Sequence, residues 1–185
     1  MSILNNIKEK AAGIILKREY AATGRMRKIC NMDLAGKIGI LYYLPDEATY
    51  ETVSRYVKKL QDRGKTVKAL GYVEQKQLAG RFAPKLSYDF LFPSGLNWFL
   101  KPQSASAKDF IDTPYDILID LSLREIVPLR YVLALSKALF KVGLQSETKA
   151  EYLDLMIDLQ NKGTLDELIA QLDHYLNELN KKNER

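Results

Sequence analysis

The chain has 185 residues, 46% of them hydrophobic, and a net charge of +5, which is enough apolar material for one domain to bury its core without a disulfide or a structural metal. One cysteine, Cys30, and one histidine, His174, exclude an internal disulfide and a zinc site of the usual composition. No apolar run approaches the roughly 20 residues of a spanning helix, and the longest near the start, Ala11 to Leu16, falls short of a signal-peptide core. A soluble, cytoplasmic protein without a transmembrane segment is expected.

Residues 1–28 hold seven basic residues, Lys8, Lys10, Lys17, Arg18, Arg25, Arg27 and Lys28, against Glu9 and Glu19, a surplus equal to the whole net charge. The body, 29–185, is therefore neutral, and it is expected to form a single α/β domain. Any contact with a polyanion is confined to the seven basic residues of the arm. Ile3, Leu4, Ile7, Ala11 and Ile14 recur at three- and four-residue steps, predicting an amphipathic helix over 2–20 with Gly13 as a weak point. If that stripe packs on the domain, the helix is structural. If it does not, it is an apolar surface flanked by lysines, suited to a partner groove, an anionic membrane or RNA.

Lys37 to Leu44 (KIGILYYL) reads as the first core strand, followed by a helix with the stripe Val53, Tyr56, Val57 and Leu60 that stops at Gly64. Lys65 to Val73 makes a second strand, and the helical crossover suits parallel pairing. An irregular stretch with Gly80 and Pro84 leads to a third strand, Leu86 to Phe92. The main loop, Pro93 to Ala107, carries the only tryptophan, Trp98, and ends in a short helix near Lys108 to Ile111. Residues 115–143 then read as a complete strand, helix, strand unit. Its run from Ile117 through Asp120 to Leu121 lacks alternation, as expected of a strand covered on both faces. Tyr152 to Asp158 is a sixth strand, and the helix from Thr164 to about Asn180 shows one apolar face through Leu165, Leu168, Ile169, Leu172, Leu176 and Leu179. The fold class is a three-layer, Rossmann-like α/β domain with a mainly parallel sheet of five or six strands, plus the N-terminal helix. Right-handed crossovers give the order 3-2-1-4-5, with the first and fourth strands central.

A dinucleotide site needs glycine in the turn after the first strand, because only glycine lets the backbone approach a pyrophosphate. Here the turn is Leu44-Pro45-Asp46-Glu47-Ala48-Thr49, with two carboxylates and no glycine, and no P-loop is present. No cofactor and no metal site is expected. His174 falls opposite the Leu172 and Leu176 stripe and should face solvent, whereas Cys30 reads as a lone buried thiol. Asp120, Ser122 and Arg124 sit where the fourth strand ends, the place where open α/β sheets bind ligands. Ser122-Leu123-Arg124-Glu125 also fits a capping box, although Pro128 is better placed at a first helical position than six residues in. Asp46 is similarly either a helix cap or a ligand contact. Trp98 and Lys101 could form a stacking and charge platform over the same cleft, or Trp98 could be a packing anchor. The candidate cleft thus comprises Asp46, Trp98, Lys101, Asp120, Ser122 and Arg124.

Leu96-Asn97-Trp98, Lys101-Pro102, the run Asp116 to Ser122, Leu135-Ser136-Lys137-Ala138 with Lys141-Val142-Gly143, Tyr152 to Asp158, and His174-Tyr175-Leu176 together resemble a bacterial family of small α/β proteins classed as a domain of unknown function, over residues 30 to 180. That resemblance carries no catalytic or binding roles. About thirty residues also resemble the acceptor half of heptosyltransferases, as shared fold geometry.

The expectation is a non-catalytic binding or interaction module whose basic arm meets a protein partner, an anionic membrane surface or RNA. The competing reading is a small hydrolase or transferase in which Asp46 and Asp120 act at the strand-end cleft while Lys101 and Arg124 hold an anionic substrate.

Overall fold

The computed structural model of the protein describes residues 3–74, 86–159 and 163–179. The irregular stretch with Gly80 and Pro84 lies outside them. In chain order the elements are α1 (Ile3–Ala21), β1 (Lys37–Tyr43), α2 (Glu47–Asp62), β2 (Thr66–Tyr72), β3 (Tyr88–Leu91), a 3-10 turn (Pro93–Gly95), α3 (Ala105–Asp112), β4 (Ile117–Asp120), α4 (Val127–Leu135), β5 (Phe140–Leu144), β6 (Leu155–Ile157) and α5 (Leu165–Glu178).

The six strands form one sheet in the order β3-β2-β1-β4-β5-β6, parallel at every junction. The two continuously apolar segments are the central neighbours, with Ile38 opposite Ile117 and Leu41 opposite Asp120. Their lack of alternation follows from burial on both faces. Ile38, Ile40, Tyr42, Ile117 and Ile119 face Val53, Val57 and Leu60 of α2 and Leu168, Leu172 and Leu176 of α5. Leu41, Leu70 and Leu118 face Phe110 of α3, Leu129, Val132 and Leu133 of α4, and Ala12 and Leu16 of α1. The step from β1 to β2 and the step from β4 to β5 run in opposite directions on opposite faces, so both have the right-handed sense that parallel crossovers require.

Helix α1 packs on α4, but by a different face from the isoleucine stripe. Ala12 and Leu16 are fully buried, whereas Ile7 and Ile14 are 51% and 72% exposed. The small Ala12 lets the helices approach closely, and the hydroxyl of Tyr131 on α4 donates to the Ala12 carbonyl at 3.1 Å. The next turns are fixed by Tyr20, whose ring meets Tyr152 edge-on and whose hydroxyl donates to the Glu151 carbonyl.

Two helix starts follow the sequence and one does not. Asp46 caps α2, and Thr164 with Glu167 forms a reciprocal capping box on α5. Ser122 and Glu125 do not cap α4, because that helix begins only at Val127, with Ile126 in the cap position and Pro128 in its first turn. Proline is accommodated there, where an amide would have no partner within the helix. Glu125 instead binds Arg130 and accepts from Thr148.

Candidate functional site

Strand order reverses between β1 and β4, so the carboxyl ends of these two strands mark the place where the fold would receive a ligand. The residues there are held as follows. Asp46 accepts the Thr49 amide at 2.8 Å, and this bond lowers its carboxyl pKa by favouring the charged form. Asp120 is 2% exposed. One of its oxygens accepts the Ser122 amide at 3.0 Å, and the other accepts the Lys149 ammonium at 2.8 Å. With both oxygens committed and water excluded, Asp120 holds the end of β4 to the loop before β6. Ser122 is equally buried, and its Oγ has no hydrogen-bond partner.

The loop after β3 is folded by its own asparagine. Asn97 Oδ1 accepts the amides of Phe99 and Lys101 at 3.0 Å each, closing a turn in which Leu100 has φ 61°, a left-handed conformation uncommon for a side chain of its kind. Lys101 leaves this turn to bind Glu19 of α1 at 2.7 Å. Trp98, 54% exposed, lies under the Lys8 ammonium, 5.8 Å from its ring centre. Both contacts tie the loop to α1.

The Arg124 guanidinium sits over Tyr43, 3.9 Å from the ring centre, and donates to Glu74 at 2.8 Å. Tyr43 donates to the same carboxylate at 3.0 Å. Burial, then the bond to Glu74, raises the Tyr43 pKa, and burial with the charge of Glu74 pushes Tyr72 up to about 12. Both phenols therefore stay protonated at neutral pH. Arg124, Glu74 and Tyr72 border a cleft of about 270 Å³ whose other walls are Leu100, Val127, Pro128 and the first turns of α1 at Lys8 and Glu9. Of the six residues marked in the sequence, Arg124 lines this cleft. Lys101 borders a separate one with Pro102 and Gln103, and Asp46, Trp98, Asp120 and Ser122 are not among the lining residues. Among the described residues no three His, Cys, Asp or Glu side chains gather as a metal-binding group.

The seven basic residues of the first 28 divide sharply. Arg25 is turned inward, paired through both terminal nitrogens with Asp154 at 2.8 and 2.7 Å and bonded to the Ala138 and Leu139 carbonyls. Arg27 reaches Tyr20 and Asp154, and Lys17 stands 3.6 Å from Glu151 at the surface. Lys10, Arg18 and Lys28 are exposed. On α1 the exposed Ile7 and Ile14 share one face with Lys10 and Lys17, at three- and four-residue steps, while Glu9 and Glu19 lie off it.

Several key groups carry no local sequence signal. Lys141 on β5 is fully buried and donates to the Leu133 and Ala134 carbonyls at the end of α4. Burial first, and the Arg25 charge second, lower its pKa to about 6. Asp173 of α5 accepts from Tyr56 and Lys59 of α2, fastening the two helices of one face.

A model of a family of unknown function, DUF6913, matches residues 8–179, from the first turns of α1 to the end of α5. The chain belongs to that family. The DUF6913 match takes in most of the basic N-terminal segment as well as the whole sheet. Comparison with curated proteins and with solved structures finds no match. Among the described residues no helix is long and apolar enough to cross a membrane.

Proposed function

We propose that this protein is a non-catalytic, cytoplasmic binding module that docks through the outer face of α1 into an apolar, acid-rimmed groove of a protein partner. The observation that carries the reading is the placement of Ile7 and Ile14 in solvent, in line with Lys10 and Lys17, on a helix whose opposite face is fixed to α4 by Ala12 and Leu16. Ile7 and Ile14, half and nearly three-quarters exposed, each forgo on the order of 1 to 2 kcal/mol that burial would recover, and anchors at i and i+7 are the spacing by which a helix fills a groove. A flat anionic membrane suits this face less well, because Glu151 stands beside Lys17 at its edge. RNA suits it less well too, since isoleucines offer no stacking surface. Catalysis by Asp46 and Asp120 is not favoured, because an amide holds the first and Lys149 and the Ser122 amide hold the second.

The test is affinity capture from the native cytoplasm with the wild-type protein and with an Ile7→Glu, Ile14→Glu double variant, run beside binding to anionic vesicles and to single-stranded RNA at low salt. The expected result is a protein captured in stoichiometric amount by the wild type and lost from the double variant, whose melting temperature is unchanged. Binding to vesicles or RNA that the double variant abolishes would replace the protein partner with that surface. Equal capture by both forms would remove α1 as the docking face.

A further inference from the structure

Strand β6 closes one end of the sheet, with β5 on one side and no strand on the other among the described residues. A free edge presents unpaired amides and carbonyls to whatever chain can align with it. Around this edge the surface is unusually apolar. Met156 and Tyr175 are 41% and 46% exposed, and Ile29 is 58% exposed. Between β6 and α5 runs a groove of about 720 Å³ walled by Leu155, Ile157, Leu159, Gln171 and Tyr175. Ile157 packs with the leucines of α5, and alternation turns Leu155 and Ile157 toward that helix, while Met156, which also borders the groove, is 41% exposed.

The charges at the two ends of the strand differ in sign. Arg27, Lys28 and Ile29 border the hollow at its beginning, together with Phe140, Leu155 and Asp154, whose carboxylate is already taken up by Arg25 and Arg27, whereas Asp158 and Glu167 border the groove at its end. We propose that two copies of this chain pair through β6 in antiparallel register about a two-fold axis at Met156, making one twelve-stranded sheet. Antiparallel pairing brings Arg27 and Lys28 beside the beginning of each strand toward Asp158 and Glu167 at the end of the other, and Asp154, which this register sets opposite Asp158, is already neutralised by Arg25 and Arg27. The two-fold axis stands normal to the sheet, so α5 and its partner lie on the same face and cover both grooves. Leu155 falls opposite Ile157 of the other copy, and Met156 falls opposite itself. The contact is isologous and closes at two subunits.

Mass measurement by light scattering over a range of concentrations tests this, with a cysteine placed at the axis. The wild type is expected to weigh two chains, and Met156→Cys to form a disulfide-linked dimer under mild oxidation, since residues directly opposite across antiparallel strands lie within about 4.5 to 5.5 Å, inside disulfide range. The wild type is the control, because its only thiol, Cys30, is buried. Met156→Lys, which sets two ammonium groups against each other at the surface, is expected to shift the mass to one chain without changing the circular dichroism spectrum. Lys28→Glu and Asp158→Lys are each expected to weaken the dimer, and combining them to restore it. A wild type that stays monomeric at every concentration overturns the proposal and leaves the edge to a foreign strand. A dimer that withstands Met156→Lys and both charge reversals, or a Met156→Cys variant that does not cross-link, also overturns it.

Discussion

Lys149 lies 29 residues from Asp120 in the chain and 2.8 Å from it in space. Their side chains are 5% and 3% exposed, so each neutralises a charge that would otherwise be stranded in the interior. Asp120→Asn keeps an acceptor for the Ser122 amide but leaves the ammonium without its counter-charge. The expected cost is about 3 to 5 kcal/mol, a fall in melting temperature of roughly 6 to 20 °C for a chain of this length, read by thermal unfolding. An unchanged melting temperature would contradict the structural role and reopen a functional one. Lys141 gives a second residue-level expectation. Its pKa, lowered to about 6 by burial and by Arg25, means that between pH 6 and the ordinary lysine value near 10.4 the unfolded chain binds a proton that the folded one does not. Stability should therefore rise with pH through this window and fall as pH drops toward 6. Chemical denaturation at pH 6, 7 and 8 is expected to show that rise for the wild type and a flatter profile for Lys141→Met. Equal slopes would place the charge on the lysine throughout.

At the scale of the element, α1 shows what periodicity can and cannot give. Ile3, Leu4, Ile7, Ala11 and Ile14 establish a helix, yet the buried side is the one through Ala12 and Leu16. Hydrophobicity alone favours the isoleucines. What reverses the choice is the partner: α4 offers Tyr131 to the Ala12 carbonyl, and the close approach needs a small residue. Leu16→Ala is expected to cost about 2 to 5 kcal/mol, whereas Ile14→Glu should alter stability by no more than roughly 0.5 kcal/mol. Urea unfolding of the two variants decides the matter, and the opposite ranking would mean that the helix packs by the isoleucine face. The loop after β3 was legible only in part. Its length and Trp98 marked it, but its attachment to α1 through Lys101 and Glu19 joins residues 82 apart, which no local pattern shows.

Across the whole molecule, the sheet was readable because its strongest signals are local. Ile38 to Tyr43 and Ile117 to Leu121 show no polar and apolar alternation, and such runs belong at the centre of a parallel sheet, where they are found. The likeness over residues 30 to 180 to proteins of unknown function agrees with the family match over residues 8–179. The interior ion pairs were not readable. Arg25 looks in sequence like one of seven arm cations, and only the folded chain reveals Asp154, 129 residues away, as its partner. The candidate cleft was drawn from strand-end position, which nominates residues, whereas pairing, local for Asp46 with Thr49 and long-range for Asp120 with Lys149, sets what each of them holds. Ile7, Lys10 and Ile14 on the outer face of α1 are left exposed, and the most direct test of that face's role is hydrogen exchange of the captured complex against the free protein. Slower exchange confined to peptides covering residues 7 to 18, with none at residues 120 to 128, is the result this account requires. Protection at the strand-end loop with α1 unchanged would contradict it.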